Sequence, residues 1–350
     1  MKISSFSHSF LILWLCLPCL ADAYQHILID ANGDAYFTVS NAGKGSKNIS
    51  KHSLASSSNY LAYSIPDQAN CIVSSLSLNF AGTKLAYSEP CVLPPVYRLI
   101  ILDLSSKKII ASLDHGGNIF SFSPKGDAIA FKSDYPGSYD GEKPPDKFSP
   151  GIFVYNFQSN KLKLIYSWPS REANSKWWSG VDINWSQHDN NIYFTTGQGV
   201  YRYNVSVGTN EILPINGIYF SPDGKYYCNL PFNEGWSSLY ETSTNKEMTQ
   251  WEELILRKAG EWPPIANAPD MVCNFWINIK GNNIVVFGTN GGAKNIIFDA
   301  DKGKVIGEFD GLFMGINKNG TKVAVHPSNP DGRSYSDSIE ILNLLDLIKK

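Results

Sequence analysis

The residues best suited to recognition lie in two polar insertions. Residues 133–150 (SDYPGSYDGEKPPDKFSP) carry Tyr135 and Tyr139 among Asp140, Glu142 and Asp146. Residues 168–180 (WPSREANSKWWSG) carry Trp168, Trp177 and Trp178 with Arg171, Glu172 and Lys176. Large aromatic rings ordinarily seek burial, so three tryptophans in a short polar segment have two readings. They either anchor a flat ligand or a protein surface, or they plug the space beneath their own loop. On the first reading, Tyr135, Tyr139, Trp168, Arg171, Trp177 and Trp178 form an apolar centre within a charged rim, the pattern of a protein contact.

Reactive constellations are harder to find. There is no G-x-S-x-G elbow for a nucleophilic serine. His26, His52, His115, His188 and His326 are scattered, without the H-E-x-x-H spacing that puts two imidazoles on one metal. Gly116-Gly117 and Gly291-Gly292 lack the following helix that a phosphate loop requires. Asp30, Asn32 and Asp34 have the first three positions of a calcium loop, but Gly33 and the missing glutamate further on favour a hairpin turn. No acidic pair is singled out by spacing. No catalytic residue, metal ligand or cofactor is therefore assigned.

The elements that must position these residues begin after an export signal. Lys2, the apolar run FLILWLCLPCL (residues 10–20) and Ala21-Asp22-Ala23 make a signal peptide over residues 1–23, with cleavage at about Ala23. Cys16 and Cys19 follow Leu15 and Pro18, where a lipid-anchored cysteine would want small residues. The expectation is a soluble periplasmic or extracellular protein, with residues 24–350 as one domain and no membrane span. Hydrophobic residues at 43% and charged residues at 18% fit a packed globular chain. A formal charge of −2 without a basic stripe argues against nucleic acid and anionic membrane as main partners.

Four cysteines remain beyond the signal: Cys71, Cys91, Cys228 and Cys273. An even count in an exported chain favours disulfides, and three pairings are open. The favoured one joins Cys71 to Cys91 around a hairpin and Cys228 to Cys273 at the root of the longest insertion. Zinc is the rival, but neither pair has C-x-x-C spacing. In that insertion Thr249-Gln-Trp-Glu252 is a capping box, Trp251, Leu254, Ile255 and Lys258 share a helical face, and Gly260 ends a short helix.

The rest of the chain repeats one unit. Residues 218–228 (IYFSPDGKYYC) read strand, tight turn, strand: Pro222 pre-sets φ, Asp223 bonds its own backbone and Gly224 accepts a positive φ. Related units start at Leu78, Phe120, Ile183, Ile277 and Met314, with turn positions Gly82, Gly126, Asn190, Gly281 and Gly320. Each is followed by a second hairpin with a polar turn, the least regular being residues 338–350 (SIEILNLLDLIKK). Two hairpins make a four-stranded sheet, and its repetition predicts an all-β propeller of six four-stranded antiparallel blades, with seven as the alternative. Residues 24–40, a hairpin ahead of the first unit, are expected to pair with the last blade and close the ring. Residues 41–70 could hold a seventh, partial blade.

The unit resembles the TolB-like group of propellers, whose repeat centres on an aromatic-Ser-Pro-Asp-Gly turn and an apolar strand. Residues 220–224 match it fully, and residues 122–126 differ only in Lys125. The resemblance implies a propeller over residues 70–348 and leaves function open. The Ser/Thr-Asp-x-Gly boxes of sialidase-like propellers are missing. With a full repeat array and no catalytic set, the leading reading is a non-catalytic propeller that binds a protein or envelope component through its loop-bearing face. The alternative is a lyase, lactonase or glycosidase with its site at the channel mouth.

Overall fold

The computed structural model describes residues 28–29, 35–40, 47–53, 59–65, 71, 73, 75–91, 96–133, 151–167, 181–229, 237–248, 271–289, 294–317, 320–327 and 339–348. They form seven antiparallel sheets in chain order, spanning residues 28–65, 75–114, 116–167, 183–213, 217–247, 271–310 and 312–343, here blades one to seven. Blades one to six have four strands each, and blade seven has three. Within every blade, strands adjacent in sequence are adjacent in space.

Turn chemistry sets the hairpins. All six turn positions read from the sequence have a left-handed backbone: Gly82, Gly126, Asn190, Gly224, Gly281 and Gly320 lie at φ 67, 67, 57, 72, 88 and 63°. A buried Asn or Ser begins most of these turns and ties them shut. Asn79 Oδ1 accepts from the N–H groups of Thr83 and Lys84, and Ser221 Oγ accepts from Tyr226 N–H. Asn317 Oδ1 accepts from Thr321 and Lys322 in the same way. The second hairpins share a rule of their own. Asp103, Asn156, Asn204, Glu241 and Asp299 each stand four residues before a positive-φ residue, namely Lys107, Asn160, Gly208, Asn245 and Gly303. Asp103, Asn156, Asn204 and Asp299 accept turn N–H groups through their side chains, as local polar side chains do at turns.

A blade buries both faces, so its central strands carry apolar side chains in both phases of the pleat. Ala128–Ser133, buried throughout, sends Ala128 and Ala130 toward blade four and Ile129 and Phe131 toward blade two. The core is accordingly divided into layers between neighbouring blades. Phe37, Ile49 and Ile65 meet Leu85 and Tyr87 between blades one and two, and Ile277, Ile284 and Ile297 meet Val323 and Val325 between six and seven. First strands of successive blades approach each other from one to six, and Leu28–Ile29 of blade one lies against Leu312–Ile316 of blade seven. The sheets thus form a closed ring.

Two expectations about the ring's ends need correction. Residues 24–40 do not complete the last blade: Leu28–Ile29 pairs with Ala35–Ser40, which continues to Lys47–Ser53 and Asn59–Ile65. The polar strand KNISKHS hid this second hairpin in the sequence. Pairing with an adjacent segment also avoids the loop-closure cost of a partner some 300 residues away. The complete blade at residues 28–65 belongs to the seven-unit alternative, while the last unit stops at three strands. In place of the hairpin expected over residues 338–350, the described residues hold one strand, Glu340–Asn343, and a one-turn helix, Leu344–Leu347, capped by Asn343. Ile348 then bridges Gly307 in the outer strand of blade six. The signal segment and the helix expected near residues 249–260 lie outside the described residues.

Cys71 is bonded to Cys91 and Cys228 to Cys273, the two pairs favoured from the sequence. The first joins the chain entering blade two to the end of that blade's second strand. The second ties blade five to blade six inside their shared apolar layer.

Candidate functional site: the loop-bearing rim

Because every blade is antiparallel with consecutive strands, its connections sort onto two rims. The turns between first and second strands and between third and fourth strands fall on one rim. Most of them are the positive-φ turns described above. The connections between second and third strands, and from each blade to the next, fall on the other. Residues 134–150, 168–180, 230–236, 249–270 and 328–338 all depart from this second rim.

Tyr135, Tyr139, Trp168, Arg171, Trp177 and Trp178 lie outside the described residues, but the roots of their loops are well defined. Residues 134–150 link Ala128–Ser133 to Gly151–Asn156 in blade three, and residues 168–180 leave the outer strand Lys161–Ser167 for blade four. Ser133 Oγ accepts from Gly151 N–H at 2.8 Å and donates to Gly151 O at 3.1 Å. Gly151 is in turn paired with Ser167. The two insertions therefore start side by side. Gly151 suits this junction because a Cβ there would stand 2.2 Å from the carbonyl oxygen of Tyr166.

Beneath this rim, the ends of the second strands are polar where the rest of the strand is apolar. Ser88 and Glu89 in blade two, Lys132 and Ser133 in blade three, Thr195 in blade four and His326 in blade seven are all buried. A buried charge needs a partner. Glu89 has one in Arg98, whose Nη2 donates to Oε2 at 2.7 Å beside the Cys71–Cys91 bridge. Burial, then the charge of Glu89, pushes the Tyr63 and Tyr87 hydroxyls upward in pKa.

A second node lies between blades four and five. Asp182 Oδ1 accepts from Ile183 N–H at 2.8 Å, and Oδ2 accepts from the Tyr219 hydroxyl. Burial raises the Asp182 carboxyl above the ordinary carboxylate range against these two bonds, and burial with the Asp182 charge holds Tyr219 well above a free phenol. Around it, side chains bond to neighbouring inner strands. Asn184 Nδ2 donates to Ile218 O at 2.7 Å, Trp185 N–H to Ser121 Oγ at 2.9 Å, and Trp276 Nε1 to Tyr219 O at 3.0 Å. These bonds hold blades three to six in register at the axis.

Chemically, the Asp182 node ties blades four and five together, while Glu89–Arg98 is a cross-strand pair within blade two. Cys71, Glu89 and Cys91 have the proximity of a metal site, but both sulfurs are used in the disulfide. Sequence reasoning missed both nodes. Glu89 and Lys132 carried a usable signal, as charges inside the buried strands KLAYSEPC and AIAFKS. Asp182 carried none.

No family model and no curated protein matches this chain. Its structure is similar to the β-propeller domain of the Trilobed protease from Pyrococcus furiosus, described as having an open velcro topology. That match has 12% identity and a TM-score of 0.54, covering 91% of this chain and 97% of that one. It is also similar to one of two prolyl endopeptidases, at 10% identity and a TM-score of 0.57, covering 92% of this chain and 50% of that one. Similarity to TolB from Acinetobacter baumannii has a TM-score of 0.44 at 16% identity, over 79% of this chain and 61% of TolB. The chain thus spans half of the peptidase and less than two thirds of TolB. At these identities the first two likenesses show the fold alone, a β-propeller. No described helix is long and apolar enough to cross a membrane.

Proposed function

We propose that this chain is an exported, non-catalytic propeller that binds a protein or envelope component through its loop-bearing rim. The observation that carries this reading is the asymmetry of the two rims. One is built largely of short turns locked by positive φ, and every long insertion leaves from the other. Tyr135, Tyr139, Trp168, Arg171, Trp177 and Trp178 all belong to the two insertions rooted together at Ser133, Gly151 and Ser167. A closed ring presenting its long loops on one side is how a scaffold separates recognition from stability.

The test is replacement of Trp177 and Trp178 together by alanine, followed by capture of partners from envelope extract on the immobilised protein. Loss of a specific partner, at about 2 kcal/mol or more, with an unchanged melting temperature supports the proposal. A variant that melts early and captures its partner normally per folded molecule makes the rings core plugs and sinks it.

A further inference from the structure

The outer wall of blades two and three brings lysines and exposed aliphatic side chains together. Its two outer strands begin Lys108-Ile109-Ile110 and Lys161-Leu162-Lys163-Leu164. The four aliphatic side chains are 42, 41, 54 and 41% exposed. Lys107 and Lys125 stand exposed on the adjoining turns. Among the described residues no carboxylate lies within ion-pair reach of these five lysines. Asp103 and Asp127, the acids of those turns, take hydrogen bonds from Ser105, Ser106 and Ser123. On blades four to six, by contrast, Arg202 pairs with Glu211, Lys225 with Asp301 at 2.8 Å, and Lys302 with Asp299 at 2.8 Å.

Lysine on an edge strand often serves only to discourage strand pairing. That role does not call for aliphatic side chains exposed beside the lysines, nor for five lysines without an ion pair among the described residues of two adjacent blades. We infer that this sector is a docking surface for an anionic lipid bilayer. Aliphatic groups entering the headgroup region and lysines facing anionic headgroups reinforce each other. Lysine, a flexible point charge, suits a diffuse anionic plane, whereas a protein carboxylate is matched better by the arginine fork. The near-neutral total charge of the chain conceals the patch, because an excess of acids elsewhere in the sequence offsets it in the sum. The lysines sit at or near the turn rim, so docking there leaves the loop-bearing rim accessible.

The experiment is flotation of the exported chain with phosphatidylglycerol–phosphatidylethanolamine vesicles and with pure phosphatidylcholine vesicles, at low and at high salt. Binding is expected to the anionic vesicles only and to be lost at high salt. A triple charge reversal, Lys108→Glu, Lys161→Glu and Lys163→Glu, should weaken it at least tenfold. Leu162→Ser with Leu164→Ser should weaken it while leaving its salt dependence in place. Circular dichroism checks that both variants are folded. The Trp177→Ala, Trp178→Ala variant should float like the parent, which separates this surface from the loop-rim site. Equal binding to both vesicle types, no binding to either, or full binding by the charge-reversed chain overturns the inference. So does an acidic protein captured through the same lysines by a chain that ignores vesicles.

Discussion

At the scale of single residues, the repeat is a statement about φ. A left-handed turn residue costs little for Gly or Asn and about 1–2 kcal/mol for most others. This is why the positions could be aligned although little else of the motif survives. Packing adds a second term that differs from blade to blade. At Gly281 (φ 88°) an added Cβ meets nothing within 4 Å, whereas at Gly320 (φ 63°) it would lie 2.2 Å from Cγ2 of buried Ile277. Gly281→Ala should therefore cost about 1 kcal/mol and Gly320→Ala about 2–4 kcal/mol. Urea denaturation of both variants checks this, and equal losses would show that the turn of blade seven does not press on blade six as described. The spacing from Asp103, Asn156, Asn204, Glu241 or Asp299 to a positive-φ residue four positions later was equally visible in the sequence. It is masked because lysine, asparagine and glycine share that place, so no residue type marks it.

At the scale of elements, the ends of the chain decide how the ring is finished. Among the described residues, blade seven lacks the fourth strand of its siblings, and the chain crosses to blade six through the helix Leu344–Leu347. Leu344 is fully buried there with Ile277, Ile297 and Phe309, and Ile348 bridges Gly307. Gly307 permits the approach, since a Cβ on it would stand 2.4 Å from Leu347 O. The helix is too short to be stable alone, so its order depends on this packing. Leu344→Ala should cost about 2–4 kcal/mol, as buried leucine truncations do. Removal of residues 344–350 should cost at least as much, read as a fall in melting temperature. A truncated chain that melts with the parent would show that the segment is not a clasp.

At the scale of the whole molecule, stability is shared among apolar layers between blades, many of them closed by buried tyrosines. Burial, with a Tyr201 hydrogen bond, pushes Tyr166 up to about 12, and burial beside Tyr240 pushes Tyr227 up to about 12. Burial raises Tyr87 and Tyr193 further still. In the unfolded chain these phenols lose their protons near pH 10. Their folded pKa values are raised, so their contribution is intact below about pH 10 and is lost as pH climbs toward 12. Phenolate absorbance and β-sheet circular dichroism should therefore change together, in one steep transition above pH 10. Gradual ionisation of all the tyrosines near pH 10, with the sheet signal intact, would contradict that.

What the sequence determined by itself is local. The positions of the inner-hairpin turns, the two-hairpin unit and the choice of Cys71–Cys91 and Cys228–Cys273 depend on residue types within a few positions, or on cysteines flanking one hairpin or one insertion. The tertiary structure decided what depends on the geometry of the ring. It gave residues 28–65 a blade of their own, sent Ile348 to Gly307, and set Asp182 beside Tyr219. Turn chemistry acts through the φ of a single residue and leaves its mark in the chain. Contacts between blades arise only after seven sheets have set one another's distance and tilt, and no spacing in the sequence records them.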